Sequence, residues 1–185
     1  ALYIQDRIGA NNAWGIDLAN RCCTTVSTMK IAKDMLISDE SINTILIAGG
    51  YRNCDLVDYT DNDMSMMYNL GAGGGAIILK KNHDRNLLLG SHIIADGSLS
   101  RTAGVEIGGT KNTVKPENYQ DANKLRLMQP KKMKDRLNQV SMDNWYKCID
   151  ESLAKSGLER KDIGYLAILH MKRSGHDQIL KDLGL

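Results

Sequence analysis

Two adjacent cysteines, Cys22 and Cys23, lie in the stretch NRCCTTVSTMKIAKDM (20–35), directly before apolar residues that recur at helical spacing. A thiol at the N-terminus of a helix lies at the positive end of the helix dipole, which stabilises its thiolate. The backbone N–H groups there can also bind the oxyanion that forms when a thiolate attacks an acyl group. The position indicates a nucleophile for covalent acyl transfer. The alternative is that both thiols are small apolar side chains of a core.

The elements that must position these thiols follow from alternating apolar patterns. Helical spacing over 22–37 predicts a helix that begins at Cys22. The β-branched run INTILIAGG favours a central strand covered on both faces. The predicted strands before the polar stretch 82–85 are 13–19, 42–50 and 73–81, and a further predicted strand, 86–96, follows it.

The second half begins after the polar stretch NHDR (82–85), where we place the main boundary. Residues 97–130 contain both prolines and are rich in Gly, Thr, Asn and Lys, which predicts a long segment with little regular structure. The elements predicted beyond it are a helix over 131–156 capped by Gly157, a buried strand over 163–170 and a helix over 176–185. This alternation predicts an α/β layered fold.

Length and composition limit the class of protein. A chain of 185 residues with 42% hydrophobic and 25% charged residues can bury one core and form one or two domains. The net charge of +2 provides no strong field for a nucleic acid or an anionic membrane, and no apolar run approaches the ~18 residues of a spanning helix. We therefore expect a soluble protein that binds neither.

The remaining cysteines and histidines carry weaker signals. Four cysteines without Cys-x-x-Cys spacing make neither a disulfide framework nor a zinc site, which favours a reducing compartment. Burial is expected for Cys54 and Cys148. The other histidine positions, read as surface or satisfied core residues with His176 solvated, are His83, His92 and His176.

A glycine cluster formed by Gly71, Gly73 and Ala76 formally fits the dinucleotide-binding fingerprint. That fingerprint requires a helix N-terminus after the glycines to bind the pyrophosphate. The strand-like sequence AIILKK follows instead, so the pattern disfavours a nucleotide site.

Several segments, taken in order and spacing, resemble 3-oxoacyl-acyl-carrier-protein synthase III of the thiolase-like superfamily. In that family a strand of the type AAAFDLNAAC delivers a nucleophilic cysteine to a buried helix N-terminus, and an ungapped match from Gly9 places it on Cys22. The histidine of the family's HQAN motif falls on His170. The segments that carry the resemblance are GANNAWGIDLANRCC (9–23), ILIAGGYRN (45–53), LGAGGGAIIL (70–79) and SHIIADG (91–97).

The resemblance implies a thiolase-like layered α/β fold of two related βαβαβ-type repeats. The chain would hold the end of the first repeat, with the nucleophile (1–82), and the beginning of the second, with the histidine (83–185). The family's catalytic asparagine and its last glycine-rich oxyanion loop would lie outside this sequence. The chain is therefore interpreted as an internal fragment.

The implied activity is condensation of acyl thioesters in fatty acid biosynthesis. Cys22 would take an acyl group from a thioester such as acyl-CoA, and His170 would stabilise the enolate-like charge when a malonyl thioester decarboxylates and attacks. No metal or redox cofactor is implied, since acyl-CoA and the malonyl thioester are substrates. The expected partners are acyl-CoA or acyl-carrier protein and a second copy of the chain, in a cytoplasmic homodimer paired through the first strand.

Two departures from the family pattern keep other functions open. Cys23, Thr24 and Thr25 follow the nucleophile where the family has small residues with a glycine, and HMKR (170–173) replaces HQAN. Acyl transfer to an oxygen or nitrogen acceptor, or condensation like that of 3-hydroxy-3-methylglutaryl-CoA synthase, are the enzyme alternatives. A non-catalytic thiolase-like partner subunit is the alternative of another class. The sequence leaves the acyl chain and the acceptor undetermined.

Overall fold

The computed structural model describes residues 1–169 and 172–185. Within them, short 3₁₀ turns connect the longer elements, and no helix is both long and apolar enough to cross a membrane. The elements are α1 (Leu2–Arg7), α2 (Thr24–Ser38), β1 (Thr44–Arg52), β2 (Ala72–Lys80), β3 (Ala103–Val105), β4 (Leu125–Leu127), α3 (Pro130–Ser156) and α4 (Arg173–Leu183).

The chain divides into two compact units. The first comprises residues 1–49 and 74–87, and the second comprises 50–73 and 88–185. Strands β1 and β2 each continue from one unit into the other. The repeat boundary that the sequence places at 82/83 stays a prediction.

In the first unit, α2 confirms the helix predicted from apolar spacing. It buries Ala32 and Leu36, four residues apart on one face, as the 3.6-residue period requires. The helix ends where Asp39 becomes extended and its carboxylate accepts the Ser41 hydroxyl and backbone N–H at 2.6 and 2.9 Å. These hydrogen bonds lower the pKa of Asp39.

Strands β1 and β2, both predicted, form a two-stranded sheet. The Lys81 backbone N–H donates to the Asn43 carbonyl at 2.9 Å, so the start of β1 lies beside the end of β2 and the strands run antiparallel. The expectation that β1 is covered on both faces is wrong for the described chain, since β1 has no buried residue. The apolar run specifies the strand, whereas cover on both faces depends on elements packed against it.

In the second unit, the segment predicted to be irregular contains a small sheet. β3 pairs antiparallel with β4 in the register Ala103↔Leu127, and Leu125 also forms a parallel bridge with Val57. Arg126 on β4 forms an ion pair with Asp121 at 2.7 Å. Strands of three residues leave little periodicity in the sequence, so this sheet was not predicted.

Helix α3 carries its predicted boundaries. Pro130 occupies its first turn, and Gly157 caps its C-terminus in the left-handed region at φ +68°, where glycine avoids the steric cost of a Cβ. Near its start, Arg136 binds Asp96 at 2.7 Å. Hydrogen bonds from Ser98 and Arg136 lower the pKa of Asp96 from 3.8 to about 2.

Helix α4 joins α3 through polar contacts. The Tyr146 hydroxyl of α3 donates to the Asp182 carboxylate of α4, which raises the pKa of Tyr146. Asp182 also accepts from Gln178 within α4, and that bond lowers the pKa of Asp182 further than the bond from Tyr146 does. The guanidinium carbon of Arg160 lies over the Tyr146 ring, 5.5 Å from the ring centroid. Arg160 also donates two hydrogen bonds of 2.7 Å to the Asp150 carboxylate.

Three predicted strands are wrong for the described residues. No strand pairing occurs over 13–19, 86–96 or 163–169, and residue 170 lies outside the described part of the chain. A strand requires a neighbouring strand to bond with, which an apolar pattern does not supply. Helix α1 was not predicted, and it buries none of its six residues.

Candidate active site

The candidate nucleophile Cys22 lies in a 3₁₀ turn, Arg21–Cys23, directly before α2. Cys23 is the N-cap and Thr24 the first helical residue, so the helix begins two residues later than predicted. The reason is the Cys23 backbone N–H, which donates to the Asn20 carbonyl at 3.1 Å and closes a tighter turn. Both thiols are exposed and neither forms a disulfide, so the alternative of buried apolar side chains is wrong for these described residues.

The residue before Cys22 has an unusual backbone conformation. Arg21 has φ +51°, in the left-handed region that residues with a Cβ seldom adopt. Such a conformation costs roughly 1–2 kcal/mol and persists where neighbouring contacts hold it. The conformation of Arg21 determines the direction in which the backbone continues into Cys22.

A hydrogen-bonded brace surrounds this bend. The Thr24 hydroxyl accepts the Asn20 backbone N–H and donates to the Arg21 carbonyl, both at 2.7 Å. The Asn20 side-chain amide donates to the hydroxyl of buried Ser27 at 2.8 Å. We call Asn20, Thr24 and Ser27 the turn brace.

Sequence reasoning missed the turn brace, although its spacing carries a signal. Thr24 and Ser27 are three residues apart in α2 and therefore share a helix face. Asn20 lies four residues before Thr24, and Asn, Ser and Thr are the residues that bond locally to backbone groups near a helix start.

The first turn of α2 contributes a positive potential beside Cys22. Helix α2 has 15 residues and no acidic side chain in its first turn. Its positive N-terminal potential therefore acts near Cys22 without a neighbouring carboxylate of that turn to offset it. An oxyanion that develops during acyl transfer would be stabilised by this potential.

The second candidate catalytic residue, His170, lies outside the described residues. Two residues that follow it in sequence are described. Lys172 is the N-cap of α4, and the Arg173 side chain forms an ion pair with Asp177 at 3.5 Å. The structure therefore describes one member of the predicted Cys22–His170 pair. The catalytic role of His170 stays a prediction.

The other cysteines and histidines lie outside this turn. Cys54 and Cys148 are half-buried, which corrects the expected burial, and the Cys54 thiol donates to the carboxylate of Asp55 at 3.6 Å. The His176 side chain is 25% exposed, which corrects its reading as solvated, because it shares a face of α4 with the buried Ile179 three residues later. Across residues 1–169 and 172–185, no group of three or more His, Cys, Asp or Glu side chains is placed to hold a metal ion.

The remaining histidines make local contacts. His83 Nδ1 accepts the Arg85 backbone N–H at 3.3 Å, and His92 Nδ1 lies 3.1 Å from Lys155 Nζ.

The glycine cluster enters a strand, as its sequence predicted. Gly73 and Ala76 lie within β2, which continues to Lys80. The helix N-terminus that a pyrophosphate requires does not follow the glycines in the described chain.

Comparison with known proteins identifies similar sequences. Residues 16–97 match the family model described as 3-Oxoacyl-[acyl-carrier-protein (ACP)] synthase III. The chain is 31% identical over 110 residues to Beta-ketoacyl-[acyl-carrier-protein] synthase III of Syntrophomonas wolfei, a match that covers 60% of this chain and 32% of the relative. It is 25% identical over 169 residues to the same-named protein of Rickettsia bellii, covering 89% of this chain and 47% of the relative.

A solved structure confirms the fold. 3-Oxoacyl-(acyl carrier protein) synthase III from Pseudomonas aeruginosa superposes with a TM-score of 0.78 at 17% identity, over 100% of this chain and 53% of that chain. The α/β thiolase-like fold and the resemblance drawn from the sequence are confirmed. The chain spans between about a third and a half of the length of the curated relatives it matches.

Proposed function

We propose that the protein carrying this chain, being similar to 3-oxoacyl-acyl-carrier-protein synthase III, is an acyltransferase that condenses acyl thioesters through an acyl-cysteine on Cys22. The observation that carries the proposal is the position of Cys22. An exposed thiol lies one residue before the N-cap of α2, inside the range 16–97 that matches the family model. A nucleophile beside a helix N-terminus suits acyl transfer, because the thiolate and the later oxyanion need the same positive potential.

The first step is acylation of the sulfur. The Cys22 thiolate attacks the carbonyl carbon of an acyl-CoA thioester, and the carbonyl oxygen takes the negative charge. Collapse of this tetrahedral intermediate re-forms the C=O bond and breaks the bond to the CoA sulfur. The products are S-acyl-Cys22 and the thiolate of CoA, so one thioester is exchanged for another.

The second step forms the carbon–carbon bond. A malonyl thioester loses its carboxylate as CO₂, and the electron pair left on the α-carbon attacks the acyl-Cys22 carbonyl. A 3-oxoacyl thioester forms and the Cys22 thiolate leaves. His170 would donate a hydrogen bond to the enolate-like oxygen during decarboxylation.

The proposal includes the reactants and the setting of the enzyme. Acyl-CoA supplies the first acyl group and a malonyl thioester of acyl-carrier protein or CoA supplies the second. Neither step calls for a metal or redox cofactor, since a thioester is already activated toward attack. The proposed setting is a cytoplasmic homodimer that acts in fatty acid biosynthesis.

Intact-protein mass spectrometry after incubation with acyl-CoA tests the nucleophile. The full-length protein is expected to gain the mass of one acyl group, and Cys22→Ala is expected to abolish that gain. Cys23→Ala is the matched control, because Cys23 is an exposed thiol in the same turn. This variant is expected to gain the acyl mass as the wild type does.

The outcomes separate the alternatives. Label on Cys23, or label that survives loss of Cys22, would contradict the assignment. Absence of label from the wild type would support a non-catalytic partner subunit. A loaded protein that transfers its acyl group to an oxygen or nitrogen acceptor, with no reaction toward malonyl thioesters, would support the acyltransferase alternative.

A further inference from the structure

We propose that Thr24 is a positioning residue for Cys22, acting through the left-handed bend at Arg21. The inference rests on the proposed function and extends it to a residue that touches no substrate. The family resemblance gives no role to this position, where the family pattern has a small residue or glycine. Five hydrogen-bonding groups within residues 20–27 form three hydrogen bonds around this bend.

One hydroxyl links two backbone groups on opposite sides of the bend. Thr24 Oγ1 accepts the Asn20 N–H at 2.7 Å and donates to the Arg21 carbonyl at 2.7 Å. The N–H comes before the Arg21 φ torsion and the carbonyl after it. Between the two groups lie ψ of Asn20 and both φ and ψ of Arg21, so the two hydrogen bonds restrain these three torsions together, including the positive φ of Arg21.

The bend requires such a constraint. Arg21 has φ +51°, and a side chain with a Cβ is less stable there than in the right-handed or extended regions. Without the Thr24 hydroxyl, Arg21 would reach a conformation of lower free energy by leaving the left-handed region. That change would rotate the following peptide unit and redirect Cys22.

The brace is anchored in the helix. The Asn20 side-chain amide donates to the hydroxyl of buried Ser27, one turn further into α2. Thr24 itself is half-buried, whereas its neighbour Thr25 is exposed. The bend is therefore held from two successive turns of the helix.

Acyl transfer depends on this geometry more than simple alkylation does. Attack on a bulky thioester requires the sulfur to approach the carbonyl carbon along one direction, with the oxyanion near its donors. A small alkylating reagent reaches an exposed thiol from many directions. Comparing the rates of acyl transfer and alkylation at Cys22 therefore separates the orientation of the sulfur from its intrinsic reactivity.

The test compares Thr24→Val with Thr24→Ser in the full-length Cys23→Ala protein. Valine keeps the shape and removes both hydrogen bonds, and serine keeps the hydroxyl. The second-order rate constant for acyl transfer from acyl-CoA is expected to fall roughly 3- to 10-fold in Thr24→Val, the range expected for one lost hydrogen bond. Thr24→Ser is expected to stay within twofold, and alkylation by iodoacetamide to change less than twofold in both.

Two matched controls separate positioning from loss of stability. Thr25→Val makes the same substitution at an exposed neighbour and should leave acyl transfer unchanged. Thr102→Val removes a hydroxyl bond of 2.8 Å to the Leu99 carbonyl at a buried position of the second unit, so it should lower the melting temperature without slowing acyl transfer. Should Thr24→Val fail to fold, Ser27→Ala removes only the anchor of Asn20 and is expected to slow acyl transfer about twofold.

The inference is overturned if Thr24→Val loads as fast as the wild type, or if alkylation and acyl transfer fall by equal factors. A wild type that takes no acyl group overturns the proposed function and this inference together. A wild type that loads on Cys22 while Thr24→Val loads equally fast overturns this inference alone.

Discussion

Cys22 and Cys23 are adjacent exposed thiols in one turn, yet the backbone gives them different positions. Cys22 follows the left-handed Arg21, and Cys23 forms the N-cap of α2. Residue type alone does not separate two neighbouring thiols. The ungapped family match selects Cys22 as the proposed nucleophile, and the structure places it between the left-handed Arg21 and the N-cap Cys23.

At the residue scale, the prediction concerns the order in which Cys22 and His170 act. We expect His170→Ala in the full-length protein to load an acyl group from acyl-CoA at close to the wild-type rate. Release of CO₂ from a malonyl thioester should fall by about 100-fold or more, because general acid–base and hydrogen-bonding groups contribute on that order. Acyl loading by mass spectrometry and CO₂ release measure the two steps separately.

An equal loss of both steps would show that the histidine activates the thiol. The appropriate control is His83→Ala. His83 lies beyond the end of β2, and its ring contacts only local groups in the described chain, so neither step should change.

Helix α3 shows how a single glycine sets the contact between two segments. The Gly90 backbone N–H donates to the Ser156 hydroxyl at 2.9 Å, and Lys155 Nζ donates to the Ser91 carbonyl at 3.3 Å. The chain before the long irregular segment thus lies directly against the last turn of α3. Such an approach leaves no room for a side chain at residue 90.

At the element scale, we expect Gly90→Ala to destabilise the protein by about 1–3 kcal/mol, as overpacking of a close contact does. The new Cβ would lie 2.6 Å from Lys155 Cβ and 2.7 Å from the Ser152 carbonyl oxygen, and the helix backbone cannot yield easily. Chemical denaturation measures the effect. Gly164→Ala is the matched control, because a Cβ there meets nothing within 4 Å. Equal denaturation midpoints for the two variants would show that the approach at Gly90 is looser than described.

The first unit of the molecule exposes apolar side chains just before the nucleophile. Trp14 is 63% exposed and Ile16 is 51% exposed, in a segment without strand pairing in the described chain. Unpaired backbone and apolar side chains favour association, and a two-fold pairing would use the same segment of both subunits. This exposure supports the proposed homodimer.

At the scale of the whole molecule, we expect the full-length protein to sediment as a dimer at micromolar concentration. Trp14→Lys should shift it toward monomer and lower acyl transfer together, because the segment that pairs also leads into the Cys22 turn. Tyr119→Lys, at an exposed aromatic residue of the second unit, is the control and should remain dimeric. An active wild-type monomer would contradict the proposal.

Local patterns of residues were sufficient to predict several of the helices and strands. Apolar spacing located α2 and α3, the β-branched runs located β1 and β2, and Gly157 marked the end of α3. The order of these elements around Cys22 also carried the resemblance that the comparisons confirm. These features depend on residues close together in the chain, so they can be predicted from the sequence.

Features that depend on contacts between distant residues, or that leave no local pattern, could not be predicted in this way. Apolar runs at 13–19 and 163–169 have strand composition but lack strand pairing in the described residues, since pairing depends on a neighbour elsewhere in the chain. The β3–β4 sheet joins residues 20 to 24 positions apart, and the hydrogen bond between Gly90 and Ser156 of α3 spans 66 positions. The left-handed bend at Arg21 and the turn brace could not be predicted from the sequence. A hydroxyl near a helix start can bond to several backbone groups, and the folded turn shows which two Thr24 bonds to.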